Sequence, residues 1–398
     1  TSEFHGSLYD YVRHWRFAAN DRSNSIVGKP KPRSKFQFPG GNIGGPVLLP
    51  GTEFNRNRDR MFFFFGVEVQ RQQVDSGSFL SVVPTLKQRQ GDFSEALACV
   101  GQNLNQPCGA VLIPSGFPGA GSPAPNNNLA PYAHPLGRVL INLFPAPNYS
   151  DPTNRYNYAY QALEPNNRVE FTLRTDYNIS ESTRAYVRLA YQIEKRDEPR
   201  GIWWAASQVA LPSPNLADSS GRGASFNLVS VLGETMTNEV LVSYARLKLD
   251  NDYKDPSKVM RATYGIPDIG FFPDQSPYLP LELISSGWGS GAGHFGELWS
   301  PLGNFLFAYN DTTLVSNKLT KIWNSHALKF GASVEQVNKE QNFQNAEHVR
   351  MAYASAWIPG STGNELGDLL VGRPAQVEQG TRIPIGRFRL YNIDAFAQ

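Results

Sequence analysis

Residues 35–71, KFQFPGGNIGGPVLLPGTEFNRNRDRMFFFFGVEVQR, decide how the chain is read. In residues 61–71, MFFFFGVEVQR, Phe63, Phe65, Val67 and Val69 fall on one side at period two, and Phe62, Phe64, Gly66, Glu68 and Gln70 on the other. One face is wholly apolar; the other turns polar halfway along. The run before it holds Gly40, Gly41, Gly44 and Gly45, where a flat strand is expected to bulge or bend, and residues 55–60 turn the chain back. The unit is a hairpin ending in aromatics beside basic residues. It suits a sheet whose outer face meets lipid, with aromatic rings at the water boundary. A soluble sheet with a Phe-rich core strand fits this stretch equally well.

Composition narrows the choice without making it. The 398 residues carry a formal charge of +2 with 18% charged side chains, so no basic stripe points to nucleic acid. With 35 Gly, 29 Pro and 12% aromatics, the chain reads as strands and loops with few helices. Mean hydropathy is −0.38, and the apolar runs fall far short of the ~18 to 20 residues of a membrane helix. A membrane barrel stays open, because each strand shows lipid only every second residue. The chain starts at Thr1 and stops inside the alternating run FRLYNIDAFAQ, which is expected of a piece of a longer product.

Outward from residues 35–71, further strands are predicted at 3–13, with Tyr9 and Tyr11 on one face, and at 167–179. In the latter, Val169, Phe171, Leu173 and Tyr177 oppose Arg168, Glu170, Arg174 and Asp176. A tight turn at 180–181 leads to a strand in which Ala185, Val187, Leu189, Tyr191 and Ile193 oppose Arg184, Arg188, Gln192 and Glu194. Hairpins are expected at 224–250, 308–338 (Leu328 and Phe330 opposing Lys329) and 374–398, the last turning at 384–386. Residues 134–144 and 364–372 have short helical periods. Residues 74–165, rich in proline, read as one long irregular connection. Every second connection is short. In a sandwich nothing ties loop length to strand parity, whereas an outer-membrane barrel has short turns on one side and long loops on the other. The expected fold is therefore all-β: an antiparallel transmembrane barrel with about eleven strands present.

Candidate chemistry is sparse. Residues 291–296, GAGHFG, fit GxGxxG by letter, but no helix follows to aim N–H groups at a phosphate. Asp250, Asp252 and Asp255 lack the glycine and closing glutamate of a calcium loop. The six histidines show no paired spacing, and there is no GxSxG elbow. No catalytic, cofactor or metal residue is assigned.

The segments GGNIGGPVL, RDRMFFFFGVEVQRQQ, VVPTLKQRQGDFS, PLGRVLINLFPAPN, SHALKFGASVE, NELGDLLVGRPA and YNIDAFAQ together resemble the barrel region of TonB-dependent outer-membrane receptors of the Oar-like type, whose members carry a carboxypeptidase-regulatory-like domain. The resemblance covers nearly the whole chain. It implies that residues 1–398 are the N-terminal half of a barrel of about twenty-two strands in the outer membrane. Implied partners are membrane lipid, a TonB-type energy-coupling protein acting on a plug, and a solute that the residues leave unidentified. No TonB box, plug or regulatory-like domain lies within these residues. A passive porin and a secreted glycan-binding β protein are the alternatives. In the barrel reading, Val169, Phe171, Leu173, Val187, Leu189, Tyr191, Leu328 and Phe330 face lipid, while Arg168, Glu170, Arg174, Asp176, Arg184, Arg188 and Glu194 face the lumen as a solute path or a hydrated wall. Passage through an oxidising periplasm, with turn-forming residues between them, predicts a Cys99–Cys108 disulfide.

Overall fold

The computed structural model describes residues 2–26, 30–97, 109–152, 156–201, 209–272, 276–280, 307–342, 349–353, 358–381 and 385–398. The strands are β1 (His5–His14), β2 (Lys35–Pro46), β3 (Met61–Asp75), β4 (Phe79–Ser81), β5 (Tyr158–Tyr160), β6 (Leu163–Pro165), β7 (Arg168–Asn178) and β8 (Thr183–Glu198). They continue with β9 (Asn215–Asp218), β10 (Gly221–Val231), β11 (Met236–Tyr253), β12 (Phe307–Trp323), β13 (His326–Asn342), β14 (Arg350–Ala352), β15 (Gln376–Glu378) and β16 (Ile385–Ala397). Among the described residues three α-helices, α1 (Arg22–Ile26), α2 (Pro135–Leu143) and α3 (Glu365–Leu370), lie in the connections.

The long strands form one antiparallel sheet in the order β1-β2-β3-β7-β8-β10-β11-β12-β13-β16, with β6 beside β3 and β9 bridging β8 and β11. Neighbours on this path follow one another in the chain, apart from short strands inside the long connections. Short links, 47–60, 179–182, 232–235 and 324–325, alternate with long ones at 15–34, 76–167, 199–220, 254–306 and 343–384. All long connections therefore leave the same end of the sheet. Among the described residues ten long strands make up the path, against about eleven expected. The difference lies at 374–383: β15 pairs with β14 inside a loop, and β16 pairs directly with β13. The expected hairpin at 374–398 does not form, because the ladder of β13 offers β16 thirteen residues of register against three for β15.

The glycines of β2 do something other than bulge the strand. Register runs from Lys35↔Gln73 to Pro46↔Phe62 with no residue added. Their absent side chains make room for rings from β1 and the residue before it: a Cβ on Gly40 would meet the Tyr9 ring at 2.5 Å, and one on Gly45 would meet Phe4 at 2.5 Å. Tyr9 thereby lies across Gly40 and its hydroxyl donates to Glu68 Oε2 at 3.1 Å on β3. The connection 47–60 is fastened by buried Asn55, which donates to Val47 O (2.9 Å) and Met61 O (2.7 Å) and accepts from the Arg60 amide (2.8 Å).

The tightly packed core is not in the sheet. Val83, Phe93, Leu129, Leu140, Ile141, Val209, Leu279, Tyr353, Leu366, Leu369 and Leu370 form one buried cluster drawn from the connections 76–167, 199–220, 254–306 and 343–384. The stretch 74–165 is thus not one irregular connection: it holds β4, β5, β6 and α2 and contributes most of this cluster. The physical reason is that its apolar residues have partners far along the chain, Gly137 against Leu370 and Leu129 against Gly367, which local patterning does not report. Among the described residues no helix is long and apolar enough to cross a membrane, which says nothing of strands.

Candidate functional site

Directly paired residues of an antiparallel ladder share a face, so register sorts the side chains without ambiguity. Leu173 pairs with Phe65 and Leu189, Phe171 with Val67 and Tyr191, and Val187 with Phe226. Carried through β11 and β12, the same face holds Val242, Val315, Val334, Phe330 and Leu328. Val169, Phe171, Leu173, Val187, Leu189, Tyr191, Leu328 and Phe330 are therefore all on one side. Arg168, Glu170, Arg174, Asp176, Arg184, Arg188 and Glu194 are all on the other, since Glu170 pairs with Gln192 and Arg174 with Arg188. In β8 the apolar side is the more open one: Val187 (43%), Leu189 (44%) and Tyr191 (47%) are exposed, while Tyr186, Ala190, Gln192 and Glu194 are half-buried.

The apolar side is bounded by rings. Tyr177 and Trp323 lie toward the short turns, and Tyr191 and Tyr309 toward the long loops. On β8 the stripe from Ala185 to Ile193 runs roughly 27 Å at ~3.3 Å per residue, about 20 Å of thickness at a ~40° tilt. That is close to the ~25 Å band of a membrane barrel.

The opposite side carries a continuous polar ladder at its loop end. Tyr9 and Gln70 both donate to Glu68, at 3.1 and 2.9 Å. Arg168 donates to Gln70 Oε1 at 2.8 Å and pairs with Glu170 at 2.9 Å and Glu194 at 3.9 Å. Arg196 then stands 3.3 Å from Glu194 and 3.5 Å from Glu198. Nearer the turns, Arg174 grips Asp176 through two bonds of 2.8 and 2.7 Å, its guanidinium 4.1 Å from the centre of the Tyr186 ring. Further round, Glu239 takes a bond from Asn227 (2.9 Å) and pairs with Lys318 (3.7 Å). Arg184 and Arg188 form none of these pairs. The face is not purely polar, since Phe62, Phe64, Leu241 and Leu314 share it. Acids and bases alternate, which suits a wetted surface that holds polar solutes without trapping one charge.

Where ladder and loops meet, Arg200 lies 3.5 Å over the Phe79 ring and 5.6 Å from that of Tyr160, with Glu164 at 4.0 Å. Burial, helped by nearby Glu164, pushes the Tyr160 phenol up to about 12. Sequence reading missed this cluster, because its members come from three separated stretches. It also missed the groups that hold the loop core. Arg89 fans onto Pro84 O (3.3 Å), Ile141 O (3.4 Å), Phe144 O (3.0 Å) and Pro145 O (2.6 Å), satisfying the carbonyls at the end of α2. Asn127 accepts from the Val111 amide at 2.7 Å and donates to Phe93 O at 2.6 Å. Asp368 accepts from the Ser361 hydroxyl (2.6 Å) and the Thr362 amide (2.7 Å). Asn364 caps α3 through the amides of Leu366 and Gly367.

Cys99, Cys108 and the glycine run 291–296 lie outside the described residues. No group of three or more His, Cys, Asp or Glu side chains among the described residues could hold a metal ion.

Solved structures with similar layout include the outer membrane transporter YddB from Escherichia coli, at 9% identity over 98% of this chain and 36% of that one, TM-score 0.45. The siderophore receptor PirA from Acinetobacter baumannii gives 8% identity over 87% and 32%, TM-score 0.39. A mutant of the ferric enterobactin receptor PfeA from Pseudomonas aeruginosa gives 6% over 100% and 37%, TM-score 0.40. The chain spans about a third of the length of these structures. No curated protein matches it. The outer membrane beta barrel domain family matches residues 1–398, so the chain belongs to that family and its place is the outer membrane.

Proposed function

We propose that the chain is the first part of the barrel of a TonB-dependent receptor, of the Oar-like type. It takes a solute at its outer loops and releases it inward when an energy-coupling protein pulls on a plug. The observation that carries this reading is the loop cluster: four long connections, all leaving one end of the sheet, share a single hydrophobic core. A receptor needs its loops ordered into a surface that recognises something, and loops with an interior of their own supply one. In this reading the apolar side faces lipid and the ladder from Glu68 to Arg196 lines the lumen. Among the described residues the outer edges of β1 and β16 have no partner in the sheet, and a membrane barrel leaves no edge open, which supports a larger closed barrel; about twenty-two strands is the number the resemblance implies.

The test compares depletion of small molecules from growth medium by cells that lack the full-length receptor, cells that lack the energy-coupling protein, and the parent. The same compounds should remain unconsumed in both deletion strains. Uptake through the receptor that continues without the coupling protein would establish a passive pore instead.

A further inference from the structure

Toward the loop end of the apolar side, the sheet opens into a cavity of about 360 Å³ whose walls include Tyr191, Arg222, Arg246, Lys248 and Tyr309. We infer that this groove holds the phosphate headgroup of an outer-leaflet lipid. The inference rests on the orientation given above, in which the apolar side faces the membrane.

Its position comes first. Arg222 pairs across the sheet with Tyr191 on β8 and with Arg246 on β11. One step toward the turns, Ala224 pairs with Leu189 and Tyr244, and one further, Phe226 pairs with Val187 and Val242. On β10 and β11 the cations therefore begin where the apolar stripe ends, one step above Ala224 and Tyr244, while on β8 the stripe runs on to Ile193; in the orientation above this is the level of headgroups.

Charge comes second. Arg222 and Arg246 are like charges directly opposite on one face, an arrangement that repels unless something neutralises it. Arg246 shares Asp311 at 3.6 Å, and Lys248 is held by Asp218 at 3.0 Å and Asp250 at 3.3 Å. Arg222 is exposed and has no acidic partner among the described residues. An anion seated between the two guanidinium groups supplies the missing counter-charge, and a phosphate matches their fork geometry.

Shape comes third. The Arg246 guanidinium lies 5.1 Å from the centre of the Tyr309 ring, which fixes its direction, and Tyr191 stands across the groove. Amphipathic rings of this kind sit at the headgroup level of membranes. A lipid is favoured over a free anion because the stripe directly below, Leu189, Phe226 and Val242, offers its acyl chains a surface that a soluble phosphate leaves unused.

The test uses the full-length protein, purified and delipidated in detergent, titrated with phosphatidylglycerol, with phosphatidylcholine and with inorganic phosphate, bound lipid being counted by native mass spectrometry. Phosphatidylglycerol should bind about tenfold more tightly than phosphatidylcholine, as expected for one to two cations at a headgroup. Arg222→Gln should remove most of that preference and Arg222→Lys should keep part of it. Lys321→Gln, which deletes a charge on the same face at the opposite rim, should leave it intact. Displacement of phosphatidylglycerol by millimolar inorganic phosphate would show a soluble-anion site and overturn the proposal. In parallel, a fluorophore on Leu189→Cys, with Cys99 and Cys108 replaced by Ser, is exposed to nitroxide-labelled acyl chains in vesicles. Equal binding of the two lipids with Leu189 quenched overturns the headgroup site alone. An unquenched Leu189 overturns the orientation, and the site with it.

Discussion

Gly137→Ala should loosen the loop core even though alanine is the better helix former. Gly137 sits within α2, where that exchange by itself gains about 0.5–1 kcal/mol. Against this, a Cβ at that position would lie 2.2 Å from Leu370 O and 2.4 Å from Leu369 O, backbone atoms that cannot swing aside as a side chain could. The two helices would have to separate, and overpacking of this kind costs typically 1–3 kcal/mol or more. The geometry here belongs at the upper end, because Leu140, Ile141, Leu369 and Leu370 on the facing sides are all fully buried. The net loss is about 1–2 kcal/mol, a ~5–30-fold shift in a local opening equilibrium. Hydrogen exchange of the full-length protein in detergent reads it directly, as a loss of protection of that size in peptides covering 135–143 and 365–372, with protection of β11, β12 and β13 unchanged. Greater protection in the variant would mean that helix propensity wins, and that α2 and α3 do not touch as described.

Other perturbations probe the remaining parts. Arg89→Met should cost ~2–4 kcal/mol in the same exchange measurement, since buried carbonyls lose a charged donor, and Arg89→Lys should recover little because a single ammonium cannot reach all four; full recovery by lysine would refute the fan of bonds. Leu189→Arg should lower refolding stability in vesicles by roughly 2–4 kcal/mol while Lys329→Ala changes it little, and equal effects would remove the lipid-facing assignment. Tyr160 should ionise near pH 12 rather than ~10, followed as phenolate absorbance lost in Tyr160→Phe. Because its folded value is raised, its contribution to stability is full below pH ~10 and fades as the pH climbs toward 12; ionisation at ~10 would mean the ring is open to water. In receptor recovered from the outer membrane, Cys99 and Cys108 should give no free thiol until reduced, and two titratable thiols without reductant would discard the disulfide.

Strand identity and facing were legible in the sequence because both are local. A side chain's face depends only on its parity, so the opposition of Phe171 and Leu189 to Glu170 and Arg188 could be read from neighbours two residues away, and register then kept each set together across the sheet. Loop parity was legible for the same reason, as it needs only strand ends. The two short helices also announced themselves, α2 behind Pro135 and α3 behind Asn364. Partners were not legible. Residues 374–383 alternate like a strand, yet whether they join β14 or β16 depends on which edge is nearest once the chain is folded. The glycines of β2 looked like bends until the rings of Phe4 and Tyr9 were seen to fill the space they leave. The loop core was the least visible of all: Phe93 and Leu129 meet Leu366 and Leu370 only because four connections leave the same end of one sheet. No pattern within any one connection encodes that meeting, since its energy comes from apolar surface on segments far apart in the chain. The sequence alone determined which side of each strand is apolar; only the tertiary structure decided that the long loops have an interior of their own.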